Sequence, residues 1–119
     1  MPELPEVETV KEVLKKQILN KKILDIKLYY DSLIEYPDVD LFKKQIVNQT
    51  ILDIKRRGKW LVFVLNDYYL LRHLRMEGKF FIRNNDFIGN HDHISFKLNG
   101  CNLIYNDTRK FGKMHLIPK

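Results

Sequence analysis

The N-terminus carries residue types that suit nucleophilic chemistry on a sugar. In a chain that begins Met-Pro, the initiator methionine is normally removed because the second residue is small, which leaves Pro2 with a free secondary amine. Because α-amino groups have pKa values of about 7.7–8.0, part of this amine is neutral at physiological pH and can form a Schiff base. Glu3 and Glu6 lie close in sequence and can move protons. Taken alone, the same residues more often form a frayed helix start whose acids face the helix dipole.

Two further segments combine cations with a glycine. Residues 56–59 are Arg-Arg-Gly-Lys between two apparent strands, which suits a phosphate clamp, although a solvated basic turn fits the pattern equally well. Residues 107–112 are Asp-Thr-Arg-Lys-Phe-Gly. An exposed Phe111 beside Arg109 would suit insertion into a base stack while the cation holds the backbone.

One methionine and three histidines leave their roles open. Met76 follows His73 in a polar, turn-like stretch, although a lone methionine more often belongs to a core. His91 and His93 alternate and could share one face of a strand as metal ligands. Because no third ligand lies at a useful spacing, hydrogen-bonding or phosphate-contacting roles are favoured and no metal is expected in this chain.

Length and composition bound the class of protein. The 119 residues predict one domain, and 45% apolar residues exclude wholesale disorder. One cysteine excludes a disulfide framework and a four-cysteine zinc site within these residues. The longest apolar run, residues 60–65, is too short to span a bilayer. Because the first ten residues contain no Lys or Arg, we expect no leader and a cytoplasmic protein.

The net charge of +6 is distributed unevenly along the chain. Residues 1–54 contain 8 Lys, no Arg and 10 acids, a net of −2, and residues 55–119 contain 7 Lys, 6 Arg and 5 acids, a net of +8. Arginine forks match phosphate oxygens and guanine edges, so nucleic acid is the expected partner. A solvated basic face remains the alternative.

Hydrophobic periodicity predicts two helices and a series of strands. An apolar stripe at helical spacing indicates a helix over residues 5–19, and Asp38 or Asp40 could cap a second helix that ends near residue 47. Residues 21–30 alternate as in a strand. Asn99-Gly100 is the strongest hairpin signal. Further predicted strands cover residues 60–65, 68–74, 79–83, 92–98 and 101–105.

A five-residue sequence occurs twice in the chain, and we call it the internal repeat. Residues 23–27, Ile-Leu-Asp-Ile-Lys, recur as residues 51–55, and each copy follows a helical stretch that ends near Asn20 or Asn48. The simplest interpretation is a repeated helix–turn–strand unit. The whole pattern predicts an α+β, mainly β fold, a two-layer β-sandwich with two flanking helices.

These segments resemble those of the bacterial formamidopyrimidine-DNA glycosylase family, in family order and across the whole chain. Residues 1–9, Met-Pro-Glu-Leu-Pro-Glu-Val-Glu-Thr, resemble the family's opening. The other matching segments are Arg-Arg-Gly-Lys-Trp-Leu at 56–61, His-Leu-Arg-Met-Glu-Gly at 73–78, His-Asp-His at 91–93 and Asp-Thr-Arg-Lys-Phe-Gly at 107–112. Departures at Arg75, Thr108 and Lys110, where the family often has Gly, Pro and Arg, remove no chemical role.

The resemblance implies base-excision repair of oxidised purines in damaged double-stranded DNA, with AP-lyase activity. It implies that Pro2 attacks C1′, Glu3 handles protons and Glu6 supports the site. It further implies that Lys59 and His73 hold phosphates, with help from His91. Met76, Arg109 and Phe111 would fill the gap left by an extruded base.

The same resemblance implies more chain than is present here. Family members continue into a helix–two-turn–helix module and a zinc finger that binds one zinc ion. Residues 1–119 are therefore expected to form the N-terminal catalytic domain, monomeric and weakly active or inactive alone. A non-catalytic DNA-binding module on the same scaffold remains the alternative.

Overall fold

A computed structural model describes residues 4–58, 60–73, 79–107 and 113–119, with side chains from Glu8 onward. Within these ranges the chain forms two α-helices, a 3₁₀ turn and nine strands. They are α1 (Leu4–Ile18), β1 (Asp25–Leu28), the 3₁₀ turn (Asp31–Leu33), β2 (Ile34–Tyr36), α2 (Val39–Ile46), β3 (Asp53–Arg57), β4 (Trp60–Val64), β5 (Tyr68–His73), β6 (Lys79–Arg83), β7 (Asp92–Lys97), β8 (Asn102–Asn106) and β9 (Met114–Pro118).

The strands form two sheets. The four-stranded sheet has the order β1-β7-β8-β6, and the five-stranded sheet has the order β2-β9-β5-β4-β3. Neighbours are antiparallel except β2 and β9, which are parallel. The core combines buried apolar side chains from both sheets, such as Phe96 and Leu103 from one and Leu61 and Phe63 from the other. The predicted two-layer β-sandwich with two flanking helices is confirmed.

The helices lie against the sheets through one buried stripe each. Packing joins α1 to β3 and β6, and α2 to β2. The Asp38 carboxylate accepts the Leu41 N–H and caps α2, as one of the two predicted caps. No helix in the described ranges is long and apolar enough to cross a membrane. The buried stripes consist of Leu14 and Ile18 in α1, and Phe42 and Ile46 in α2.

The internal repeat of the sequence is also a structural repeat, and its two copies form matching backbone hydrogen bonds. The Asn20 N–H donates to the Ile51 carbonyl at 2.7 Å, and the Asn48 N–H donates to the Ile23 carbonyl at 2.7 Å. Both asparagines have positive φ, 68° and 73°. A left-handed residue therefore lies two positions after the end of each helix, and the two helix–turn–strand units bind each other in an approximately two-fold manner.

Each repeat unit leads into a different sheet. The first unit continues into β1 of the four-stranded sheet and the second into β3 of the five-stranded sheet. The first residue of each strand repeats one contact, since Asp25 accepts the Ile26 N–H and Asp53 accepts the Ile54 N–H, both at 2.8 Å. The two repeat units thus link the beginning of β1, in one sheet, to the beginning of β3, in the other.

Several strands differ from the sequence prediction. The strand expected over residues 21–30 covers only Asp25–Leu28, because the preceding residues bond to the second repeat unit instead. The short strands β2 and β9 were not predicted: β2 is ordered by pairing with β9, and β9 mainly by pairing with β5. The Asn99-Gly100 hairpin is confirmed: Gly100 has φ 83°, and the flanking Leu98 N–H donates to the Cys101 carbonyl at 2.8 Å.

The left-handed conformation of Asn48 generates a stability prediction. Asn48→Ala should lower the free energy of unfolding by about 1 kcal/mol, because a Cβ without a compensating polar group is strained at positive φ. Asn48→Gly relieves that strain and should cost less than the alanine variant. Urea denaturation of both variants measures the difference. Equal losses would show that the asparagine side chain, rather than the backbone conformation, is responsible.

Candidate functional site

The predicted site residues fall into three groups. His73 and His91 are described with their side chains, and Glu6 is described as a backbone position in α1. The others lie outside the described residues: Pro2, Glu3, Lys59, Met76, Arg109 and Phe111.

In the five-stranded sheet, the segments that carry these residues adjoin one end. Trp60, the first residue of β4, pairs with His73, the last residue of β5. Arg72 pairs with Met114, the first residue of β9. One end of this sheet therefore holds the strand residues that flank position 59, residues 74–78 and residues 108–112.

The four-stranded sheet repeats this arrangement. Asn106, the last residue of β8, pairs with Lys79 at the start of β6 and with Asp92 at the start of β7. His91 directly precedes β7, and its carbonyl accepts the Asp107 N–H at 3.1 Å. His91 and the flanks of residues 74–78 and 108–112 therefore lie together in this sheet as well.

Helix α1 begins toward the same end. Glu8 Oε1 lies 2.7 Å from Arg56 Nε. Three residues earlier in β3, Asp53 Oδ1 lies 3.4 Å from the Nζ of Lys15, which is seven residues later in α1. The helix therefore runs opposite to β3, and its first residues lie toward the β3–β4 turn. We call this region the loop end: the start of α1, the β3–β4 turn, the ends of β5 and β8, and the starts of β6, β7 and β9.

Arg56 has a different role from the one that the phosphate-clamp interpretation gave to this basic turn. Its Nε bonds to Glu8, and its Nη1 donates to the Gly58 carbonyl at 3.2 Å. Hydrogen bonds from Lys11 and then Arg56 hold the pKa of Glu8 below its usual value, against a smaller effect of burial. Arg56 therefore ties α1 to the turn, whereas Arg57 is exposed.

His73 is half-buried against an aromatic neighbour. Its ring meets Trp60 edge-on, with ring centres 5.0 Å apart and planes at 84°. Trp60 also contacts His115 at 6.1 Å, and His115 Nε2 lies 2.6 Å from Glu35 Oε1. These contacts fix the His73 ring at the loop end, and its contact with a phosphate stays a prediction.

His91 and His93 do not share a face. His91 precedes β7 and is exposed, whereas His93 is buried with its Nε2 2.6 Å from the Asp107 carbonyl oxygen. Because a carbonyl only accepts, Nε2 must carry the hydrogen and donate it. The His93 ring also packs on Tyr30 at 5.4 Å. Among the described residues, no three His, Cys, Asp or Glu side chains group as a metal site.

A buried polar cluster links the two sheets at the loop end. Arg72, Tyr105 and Asp107 have no exposed surface. The Arg72 guanidinium donates to the Tyr105 hydroxyl and lies 4.6 Å above that ring. The Tyr105 hydroxyl donates to Asp107 Oδ2 at 3.0 Å, and the Arg72 Nη2 lies 3.7 Å from the same oxygen. Together with His93 these residues form the buried arginine cluster.

This cluster was not predicted from the sequence, although one signal was present. Leu70 and Arg72 are two positions apart in β5 and therefore share a face, and both are buried. An arginine on the inner face of a strand requires a buried partner, because an isolated ion is costly to bury. The partner, Asp107, is too distant in sequence for the pattern to identify.

Asp92 fixes the start of β7 beside His91. Its Oδ2 accepts hydrogen bonds from Arg83 Nη1 and the Gly89 N–H, both at 2.7 Å. Its Oδ1 accepts from Asn106 Nδ2 at 2.8 Å. Burial alone would raise the pKa of the Asp92 carboxyl, but these hydrogen bonds outweigh burial and hold the pKa below its usual value.

A family model described as the formamidopyrimidine-DNA glycosylase N-terminal domain matches residues 1–114. The formamidopyrimidine-DNA glycosylases of Enterococcus faecalis and Oceanobacillus iheyensis are each 48% identical, in matches that cover 100% and 99% of this chain. The chain spans 43% of the length of either relative.

Solved structures agree with this match. Lactococcus lactis Fpg in complex with DNA that contains an abasic site aligns with a TM-score of 0.94 at 41% identity, covering 99% of this chain and 44% of that one. Its complex with DNA that contains FAPY-dG aligns with a TM-score of 0.93, also at 41% identity, covering 98% of this chain and 44% of that one. The fold and these matches define the class as the N-terminal domain of a DNA glycosylase. The chain belongs to the formamidopyrimidine-DNA glycosylase family.

The lowered pKa of Asp92 predicts a pH dependence of stability. In the unfolded chain the carboxyl binds a proton near pH 3.9, whereas the folded chain resists protonation. Its contribution is therefore present above about pH 4 and is lost as the pH falls through the lower folded pKa. Asp92→Asn should reduce the free energy of unfolding by about 2 kcal/mol at pH 7, and the difference from wild type should shrink toward pH 3.

Urea denaturation across this pH range measures the difference, with Asp40→Asn, an exposed carboxylate, as the control. A difference between Asp92→Asn and wild type that is independent of pH would contradict the assignment of this stability to the Asp92 charge.

Proposed function

We propose that this chain supplies the catalytic end of a base-excision repair glycosylase with AP-lyase activity, which acts on oxidised purines such as 8-oxoguanine and formamidopyrimidines in double-stranded DNA. The observation that carries the proposal is the convergence of the start of α1, the β3–β4 turn, His73 and His91 at the loop end. The family membership and the damaged DNA bound by the Lactococcus lactis relative support it.

The proposed chemistry begins at the N-terminal amine. The Pro2 nitrogen attacks C1′ of the damaged nucleotide, the bond from C1′ to the base breaks, and the base leaves with its electron pair and takes up a proton. The amine gives up its hydrogen, the C1′–O4′ bond of the sugar ring breaks, and the ring oxygen takes up a proton, which leaves an iminium between the Pro2 nitrogen and C1′. This iminium makes the C2′ hydrogen acidic. Loss of that proton forms the C1′–C2′ enamine and expels the 3′ phosphate. Glu3 carries protons in these steps, and Glu6 supports the site from the first turn of α1.

The remaining residues hold the distorted duplex. Lys59 and His73 bind phosphates, and His91, which is exposed, adds a further contact. Extruding a base costs a few kcal/mol of stacking and pairing, which apolar wedges and a cation in the gap partly offset. In this proposal the gap is filled by Met76, Arg109 and Phe111.

Borohydride trapping tests the chemistry. The protein is incubated with duplex that contains an abasic site or 8-oxoguanine, and borohydride reduces the imine to a stable covalent adduct. We expect an adduct with the wild-type chain that is lost or strongly reduced in Pro2→Gly, because the secondary amine of proline forms an iminium that is always cationic, whereas the primary amine of glycine forms a neutral imine that must first take up a proton. Mass spectrometry of the N-terminus comes first, because a retained Met1 would convert the Pro2 nitrogen into an amide.

The trapping experiment also separates the two functions considered for this scaffold. Duplex binding without an adduct, in protein whose Pro2 amine is free, would favour a non-catalytic binding module. The same measurement is made on the chain extended to the full length of its relatives, which supplies the remaining DNA contacts. No adduct from either protein would overturn the proposed lyase chemistry.

The phosphate contacts predict a salt dependence. Affinity for duplex should fall steeply as salt rises, because each neutralised phosphate releases counterions. Lys59→Ala should reduce the slope of log affinity against log salt concentration by about 1. The control is Lys97→Ala, an exposed lysine at the opposite end of β7, which should leave the slope unchanged. Equal slopes for wild type and Lys59→Ala would contradict a phosphate contact at Lys59.

A further inference from the structure

The buried arginine cluster lies where two crossing segments begin. Residues 74–78 follow β5 and lead to β6, and residues 108–112 follow Asp107 and lead to β9. The first therefore crosses from the five-stranded to the four-stranded sheet, and the second crosses back. Both start within two residues of a cluster member, Arg72 or Asp107.

The strand residues that flank the two crossings are paired with each other. In the four-stranded sheet Lys79 pairs with Asn106, and in the five-stranded sheet Arg72 pairs with Met114. Within each sheet, backbone pairing thus sets the spacing of the strand residues that flank the two segments. Between the sheets, the Arg72 guanidinium donates a hydrogen bond to the Tyr105 hydroxyl and forms an ion pair with the Asp107 carboxylate, so side chains join the two strand ends directly.

The cluster also fixes orientation. The planar Arg72 guanidinium lies over the Tyr105 ring, which itself packs on Phe80 with ring centres 5.1 Å apart. The Asp107 carboxylate faces this guanidinium, and its carbonyl accepts the His93 Nε2–H. Both the side chain and the main chain of Asp107 are therefore fixed, and Asp107 is the residue that directly precedes residues 108–112.

We propose that Arg72, Tyr105 and Asp107 are positioning residues that hold the ends of β5 and β8 at a fixed distance and rotation, so that the following segments, which carry Met76, Arg109 and Phe111, reach the gap of an extruded base together. This inference rests on the proposed function, because it assigns those three residues to the gap. The cluster itself makes no contact with DNA in this proposal and acts through the two segments.

Tyr105→Phe is the most selective variant for the test. It removes the hydroxyl that bridges Arg72 and Asp107 but keeps the ring that packs on Phe80. Arg72→Met removes the cation and keeps the length of the side chain. The control is Gln49→Leu, which likewise removes the side-chain hydrogen bonds of a buried residue, here to Asp67 at the opposite end of the sandwich.

Two measurements on the 119-residue chain decide the question. In hydrogen–deuterium exchange without DNA, Tyr105→Phe should raise exchange in residues 74–78 and 108–112 together, by about 3- to 10-fold, the ratio that one lost hydrogen bond corresponds to. Affinity for duplex with an abasic site should fall by a similar factor of about 3 to 10, while affinity for intact duplex, which has no gap to fill, stays unchanged. Gln49→Leu should change neither.

The two proposals fail in distinguishable ways. Equal losses on abasic and intact duplex, or the same exchange pattern in Gln49→Leu, would show that the cluster supports only general stability and would overturn its positioning role. Unchanged exchange in Tyr105→Phe and Arg72→Met would overturn it as well. A wild-type chain that does not prefer the abasic duplex, also when extended to the length of its relatives, would overturn the assigned gap-filling role and the positioning inference that depends on it.

Discussion

The arrangement of the loop end depends on how the buried guanidinium of Arg72 is compensated. Transfer of such an ion from water into the protein interior costs several kcal/mol, so an isolated arginine could not occupy this position. Asp107 and Tyr105 supply the opposite charge and a hydrogen bond from the other sheet. Because hydrogen bonds require a defined direction, they restrict the two layers here more closely than apolar contacts alone would.

The opposite end of the sandwich is held by different means. There the two repeat units exchange backbone hydrogen bonds through Asn20 and Asn48. The Asn99 turn adds bonds from the Lys21 ammonium and the Lys22 N–H. Hydrogen bonds of the main chain thus order most of this end of the sandwich. The loop end depends instead on buried side chains, which hold the flanks of the segments expected to contact DNA.

Local signals in the sequence predicted more of the fold than of the site. The limits of both helices were predicted to within two residues, and the Asn99-Gly100 turn was predicted because its conformation is encoded by adjacent residues. The strands β2 and β9 were missed, because they are ordered by partners far away in sequence. The buried partner of Arg72 was missed for the same reason. The catalytic roles were proposed because five segments resemble those of a known family and occur in the same order. Hydrophobic periodicity alone does not indicate such roles.

The sequence interpretation took the arginines of residues 55–119 as contacts for nucleic acid, whereas most of those in the described residues form ion pairs within the fold. Of the four arginines in the described residues, three have acidic partners: Arg56 with Glu8, Arg72 with Asp107, and Arg83 with Asp92. These arginines hold a helix, a sheet interface and a strand start, so an excess of arginine is not by itself evidence of phosphate contacts. Net positive charge would still raise the rate of encounter with a polyanion. The position of the candidate site is set by the topology, which brings the start of α1 and the flanks of both crossing segments to one end.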